Sequence, residues 1–328
     1  MTTRRDEILR ATGEAATVLA QFGIGNRTSF DIVGTVLALE IPLLFRPLKG
    51  RWGAAITVGE GIKGVIVTSK LGLHIQRFTL AHELGHIILG HKLSFDEQVG
   101  FLGRFGPSSR PLQELTADVF ASELLAAKSL VVAAAKRHGW SRSALLDATN
   151  VYQLSLRLGI SFEAMCWALV GHKALTREVA EAHQSSPVKE LKLRLAADVS
   201  ISNPWSDVWR LTPADSESVL EAGPDDLFAV HLQDNASAGF LWELVDCGPV
   251  GEVVGEMRGT VTNYGEGSSR VVFVRFSAPG LHRLMFEHRR PWNKQTTSHI
   301  DVSLATNGKE EVGCARRFRE TALLTEGV

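Results

Sequence analysis

Residues 76–90 read QRFTLAHELGHIILG, and the fold is decided by how this stretch is read. Phe78, Leu80, Leu84, Ile87 and Ile88 recur at helical spacing, which predicts a helix with core contacts. Inside it stands His82-Glu83-Leu84-Gly85-His86. Positions i and i+4 share one helical face, so both imidazoles can reach one ion, while Glu83 is turned by about 100° and can hold a water beside it. A pair of surface or satisfied core histidines is the plainer alternative. It leaves a glutamate embedded beside Ala81, Leu84 and Ile88 without a purpose.

A hydrolytic zinc site needs a third protein ligand and keeps a fourth position for water. Glu114-Leu115-Thr116-Ala117-Asp118 opens a second expected helix, residues 113–127, introduced by Pro111. Its two acids again share a face. Glu114 completes a His2Glu set, with an exposed acid favoured by the helix dipole as its alternative. Asp118, one turn on, is placed to accept from the free ring N–H of a ligand histidine and fix its tautomer. His74, His91 and His138 read as ordinary surface residues, although His91 follows the helix closely enough to approach the site.

Outward from these helices, residues 6–22 carry a helical pattern stopped by Gly23 and Gly25, and a second helix is expected over 29–40. Residues 43–46, 54–58 and 64–69 suit a small three-stranded sheet. Residues 93–110, rich in glycine and proline, predict a loop over the cleft. Residues 128–183 look helical throughout. Strand candidates then follow at 226–232, 240–246, 253–261, 270–277 and 280–288. The expected class is α+β, with an all-β sandwich after the helical part. The expected division is 1–140, a helical module at 141–186, a linker at 187–204 and a sandwich at 205–328. Within the module, Leu154 to Ala164 has helix-turn-helix spacing, with Ser161 capping the second helix. That helix is too apolar to read DNA bases, so a packing role is expected.

Composition narrows the function classes. With 45% hydrophobic residues, 22% charged residues and a net charge of -1, disordered, collagen-like and strongly polyelectrolyte proteins are excluded. Residues 1–204 hold 23 Lys+Arg against 18 Asp+Glu, and residues 205–328 hold 12 against 18, which gives +5 and -6. Five positive charges over so long a stretch point only weakly to nucleic acid. Cys166, Cys247 and Cys314 form no ligand or disulfide pattern. No signal-peptide pattern opens the chain. The longest apolar run, 32–45, is interrupted by Glu40 and Pro42 and falls short of the roughly 20 residues a bilayer demands. A cytoplasmic location without a membrane partner is the expectation.

The run Arg77 to His86, followed by Glu114-x-x-Ala117-Asp118-x-Phe120-Ala121-x-x-Leu124-Leu125, resembles the ImmA/IrrE family of intracellular zinc metallopeptidases over roughly residues 25–175. The resemblance implies a zincin-like peptidase domain, Zn2+ held by His82, His86 and Glu114, and Glu83 as catalytic base. It implies an endopeptidase that cuts a regulatory protein, such as a helix-turn-helix repressor, in stress response or in phage and mobile-element control, with single-stranded nucleic acid as a conceivable activator. Leu124-Leu125-Ala126-Ala127 departs from the family's usual Leu-Leu-Met-Pro.

In the second half, Asn235 to Trp242, Tyr264-Gly265-Glu266-Gly267 and Arg289-Arg290-Pro291-Trp292 resemble the three loop motifs of chagasin-like cysteine-peptidase inhibitors, an immunoglobulin-like sandwich. The resemblance makes Asn235, Gly239, Trp242, Gly265, Gly267, Arg290, Pro291 and Trp292 candidate partner-binding residues. The plainer reading puts Trp242 and Trp292 in the sandwich core. Asn235-Ala236-Ser237-Ala238 departs from the family's Asn-Pro-Thr-Thr. The expected whole is a regulatory zinc endopeptidase with an appended recognition sandwich. The competing reading is a protein-binding regulator or cysteine-peptidase inhibitor whose peptidase half is structural.

Overall fold

In the computed structural model, which describes residues 3–25, 27–58, 61–92, 111–259, 267–293 and 296–319, the chain starts with helix α1 (Arg4–Phe22). Thr3 and Asp6 cap it reciprocally, each side chain accepting from the other's backbone N–H, which satisfies two free donors of the first turn. Helix α2 (Ile32–Ala38) is shorter than the expected 29–40, because Asp31 accepts from the Gly34 N–H and sets the start. Strands β1 (Leu43–Arg46), β2 (Gly53–Val58) and β3 (Ile62–Thr68) lead into α3 (Leu73–Ile88) and then α4 (Leu112–Leu125). β1 runs parallel to β3, and β2 antiparallel to it. The expected loop at 93–110 lies outside the described residues.

Helix α3 is enclosed along most of its length. Gln76, Arg77 and every residue from Thr79 to His86 are buried, between β2 and β3 on one flank and α4 on the other. Polar side chains so placed must all find partners, and that requirement organises the site described below.

Helices α5 (Lys128–Arg137), α6 (Ala148–Leu158), α7 (Phe162–Gly171) and α8 (Arg177–Ser185) fill the expected helical stretch. Asp147, Ser161 and Thr176 cap α6, α7 and α8. Between α6 and α7 the axis bends by 101° at Gly159, whose φ is +64°, and a Cβ there would stand 2.7 Å from Arg77 Nε. Glycine is therefore demanded twice, by its left-handed backbone and by the guanidinium laid against it. Phe162, Met165, Cys166 and Leu169 of α7 are buried, in line with a packing role. Among the described residues no single helix is long and apolar enough to cross a membrane. The stretch expected as a linker carries helix α9 (Val188–Ala196), with Leu191 and Ala196 buried. Its start is marked by Pro187, which read as a breaker but is equally at home at a helix entry.

The second half folds as two four-stranded sheets. β4 (Val208–Leu211), β6 (Leu227–Asp234), β9 (Ser268–Phe276) and β8 (Gly251–Arg258) form one in the order β4-β6-β9-β8. β5 (Val219–Glu221), β11 (Thr296–Ala305), β10 (Leu281–Arg289) and β7 (Leu241–Asp246) form the other in the order β5-β11-β10-β7. Phe228, Val230, Val272, Val274, Leu284, Phe286, Ile300, Val302 and Leu304 alternate inward to make the core between them. The five strand candidates correspond to β6–β10. β4 and β5 are too short to show a period, whereas β11 alternates visibly through Ile300, Val302 and Leu304.

The two halves share a polar, buried boundary. β4 is a sheet edge, and helix α6 satisfies its outward groups: Gln153 Nε2 donates to Val208 O (2.8 Å), Arg210 N to Gln153 Oε1 (2.7 Å) and Val208 N to Tyr152 Oη (3.1 Å). Arg157 and Asp215, both fully buried, pair at 2.9 Å. Arg77 of α3 and Arg27 both bind Glu221 of β5. The small sheet has four strands, not three. β12 (Gly313–Cys314) adds beside β1 antiparallel, held by Gln76, whose amide donates to Glu310 O (2.9 Å) and accepts from Glu310 N (2.7 Å). A two-residue strand from the far end of a chain leaves no local signature.

Candidate metal centre and loop cluster

Helices α3 and α4 meet where Gly85 faces Ala117 and Phe120. A Cβ on Gly85 would lie 3.0 Å from Phe120 Cδ1 and 3.3 Å from Ala117 Cα, so the close approach rests on that glycine. It brings three sequence-expected ligands together. Ligand atoms of His82, His86 and Glu114 all lie within 4.8 Å of one another. Glu114 Oε2 is 3.3 Å from His82 Nε2, Glu114 Oε1 is 3.3 Å from His86 Nε2, and the two Nε2 atoms are 3.0 Å apart. Zinc bonds of about 2.0–2.1 Å meeting at the tetrahedral angle separate donors by about 3.3 Å. Two imidazoles and a carboxylate at these separations fit zinc in both chemistry and spacing.

Asp118 Oδ1 lies 2.9 Å from His82 Nδ1. Burial opposes a charge on His82, but hydrogen bonds to Asp118 and Glu114 and the charges of Asp118 and Glu83 outweigh it and raise the ring to about 10. Doubly protonated, His82 places an N–H where a cation belongs. Burial likewise disfavours the Glu114 carboxylate, yet its hydrogen bonds to His82 and His86 prevail and hold it well below the usual range.

Glu83, 4% exposed, faces the same cluster from the side of β2. Its Oε2 accepts from Ala55 N at 2.7 Å. Burial raises its pKa above the usual carboxylate value, against the pull of His82 and His86. A Cβ on Gly53 would come within 3.2 Å of Glu83 Oε1, so that strand leaves just enough room for the carboxylate.

His91 is not a surface residue: it is 9% exposed, and its Nδ1 lies 3.0 Å from His86 Nδ1. His91 Nε2 lies 3.3 Å from Thr116 Oγ1. Burial, then the charges of His86 and Arg10, draw His91 down to about 4. A third histidine closely following the motif was the available signal. The His138 side chain is also buried, near Arg157 and Asp215, whereas His74 is exposed. Tyr152, one of two phenols in the chain, serves the β4 boundary through Asp207 (2.8 Å) and Val208, away from the candidate metal site. The other, Tyr264, lies outside the described residues, as does Gly265.

At one end of the sandwich, the remaining loop candidates converge. Asn235 N and O pair with Phe240 O and N. Gly239 has φ +77°, and a Cβ there would stand 2.7 Å from the Trp292 ring. Arg290 lies 4.6 Å over the Phe240 ring. Gly267 packs against Gln233, Asp234 and Asn235. Pro291 is exposed, and Trp292 is 74% exposed. Trp242 departs from the partner-binding expectation: it is 4% exposed, with Nε1 donating to Gln233 O at 3.1 Å. Alternation along β7 turns it inward, so the two tryptophans divide between core and surface.

The comparisons with known proteins fall on the same two regions. Residues 38–169 match the profile of the IrrE N-terminal-like domain, and residues 221–304 match that of the chagasin family peptidase inhibitors. No curated protein matches significantly. Similar solved structures include the cysteine protease inhibitor EhICP2 from Entamoeba histolytica, at 18% identity and a TM-score of 0.29, spanning 31% of this chain and 98% of that one. Another is amebosin, at 16% identity and a TM-score of 0.24, spanning 29% and 93%. A third is PbICP-C in complex with falcipain-2, at 14% identity and a TM-score of 0.21, spanning 32% and 93%. The first region is thus similar to an IrrE N-terminal-like domain and the second to a chagasin-family inhibitor domain, within an architecture of mixed helices and sheets.

Proposed function

We propose that this chain is a zinc-dependent endopeptidase of regulatory type, its first half zincin-like and its second an immunoglobulin-like recognition sandwich. The observation that carries the reading is the mutual spacing of the His82, His86 and Glu114 donor atoms beside Glu83. When bound, zinc supplies Lewis acidity to the attacking water and the scissile carbonyl. Glu83 Oε2 is held by Ala55 N, which leaves Oε1 to take the water's proton and return it to the leaving amine nitrogen. Asp118 keeps His82 Nδ1 protonated and orients the ring.

The substrate class proposed is a cytoplasmic helix-turn-helix repressor, recognised with help from the sandwich. Purified protein should contain one zinc per chain and cleave a cognate repressor. Glu83→Gln should keep its zinc and lose cleavage by about 10²–10⁴-fold, the span of general-base catalysis. Zinc-free wild-type protein after reconstitution, or undiminished cleavage by the variant, refutes the reading. An arm with added single-stranded DNA tests activation by nucleic acid.

A second reading is favoured by the exposed Trp292 seated on Gly239 among the converging loops. On it, the sandwich captures a papain-like peptidase and the first half is structural. Titration of a papain-like enzyme with the full chain separates the two: stoichiometric inhibition abolished by Trp292→Ala supports capture, and unchanged peptidase activity removes it.

A further inference from the structure

Resting on the proposed metal centre, we infer that His91 is a positioning residue that holds His86 in its metal-binding tautomer. Counting protons along one chain of contacts supports this. Thr116 Oγ1 donates its single proton to the carbonyls of its own helix, Leu112 O at 2.9 Å and Gln113 O at 3.0 Å. Toward His91 Nε2, 3.3 Å away, it therefore presents a lone pair, so Nε2 of His91 carries the ring proton. His91 Nδ1 is then the lone-pair nitrogen, and at 3.0 Å it accepts from His86 Nδ1–H. His86 is left with its lone pair on Nε2, the atom facing His82 Nε2 and Glu114. No donor meets a donor along this chain.

The two proposed imidazole ligands are thus oriented by different means. His82 leans on the carboxylate of Asp118 and His86 on a neutral imidazole that is itself anchored by α4. The ring edges of His86 and His91 meet at 74° with centroids 4.9 Å apart, so rotation of His86 about its Cβ–Cγ bond breaks the contact. Without His91, the Nδ1 proton of a buried His86 has no acceptor among the described residues, and reversing the ring relieves it at the expense of the metal.

Zinc affinity of the full-length protein, measured by chelator competition at fixed pH, tests this without reference to catalysis. His91→Phe keeps the ring volume and removes the acceptor. Zinc should bind about 10–100-fold more weakly, as loss of a ligand-orienting partner does elsewhere. His91→Asn, whose Oδ1 takes the place of Nδ1, should recover most of that loss. Thr116→Val, which removes the far anchor, should weaken zinc by a smaller factor and supplies the test if the Phe variant does not fold. Wild-type affinity in His91→Phe, or loss in it that Asn fails to recover, overturns the role of His91 while the metal centre stands. A wild-type chain that binds no zinc, beside a folded His86→Ala control, overturns the metal centre itself.

Discussion

Glu83 and Glu114 face the same two imidazoles, yet their surroundings drive their acidities apart. Burial dominates at Glu83, whose one anchoring donor is Ala55 N, and its carboxyl is raised. At Glu114 burial is overcome by its close polar contacts with His82 and His86, and the carboxyl is lowered. Divergent pairs of this kind divide labour between a proton carrier and a permanent anion. A different histidine supplies a pH test away from the candidate metal site. His138 is pulled down to about 4, first by burial and then by the Arg157 charge, against the attraction of Asp215. Its Nε2 accepts from Arg157 Nε at 3.0 Å, so a proton there meets a donor. Between pH 6.5 and 4 the unfolded chain binds a proton at this position that the folded chain refuses, and stability falls as the pH drops through that window. His138→Gln offers Arg157 an oxygen that does not titrate. Its denaturation midpoint should fall less steeply below pH 6.5, by on the order of 1–3 kcal/mol at pH 4; superimposable profiles would refute the assignment.

Among the elements, the joint between α3 and α4 governs the site. Gly85 lies one residue before His86 on α3 and packs against Ala117, which sits between Glu114 and Asp118 on α4. Side-chain atoms at this joint thrust α4 outward and carry both acids with it. Gly85→Val should therefore cost about 1–3 kcal/mol by overpacking and weaken zinc by at least about tenfold, since ligand placement within a fraction of an ångström is what a site demands. Equilibrium denaturation and chelator competition measure the two effects. Zinc affinity equal to wild type in a destabilised variant would show that the site does not depend on this contact.

For the whole molecule, the boundary between the halves acts on α3 directly. Arg77, 4% exposed, donates to Phe30 O (2.6 Å) and Gly159 O (3.2 Å) and pairs with Glu221 of the sandwich. Gln76, its neighbour on the helix that carries His82 and His86, clamps the carboxy-terminal segment that supplies β12. Glu221→Ala leaves the Arg77 guanidinium buried without its carboxylate, an arrangement that costs about 3–5 kcal/mol in comparable pairs. The variant should unfold at correspondingly lower denaturant, and loss of less than about 1 kcal/mol would mean that water replaces the pairing. The halves are thus coupled through charges that neither can leave unpaired.

What the amino-acid sequence determined by itself is whatever depends on local period. The i, i+4 spacing of His82 and His86, the matching step from Glu114 to Asp118, the cap at Ser161 and the strand-prone runs of β6 to β10 all express geometry within one element, where neighbouring residues set the outcome. Tertiary structure decided what depends on distant partners. His91 became an orienting group only when Thr116 of another helix met its ring. Tyr152 went to the edge of β4, and Trp242 and Trp292 were sorted into core and surface by the packing of two sheets. β12 and the Arg77–Glu221 pair join residues hundreds or scores of positions apart. Such contacts form because a buried polar group or an open strand edge must be satisfied by something, and local sequence does not say by which residue.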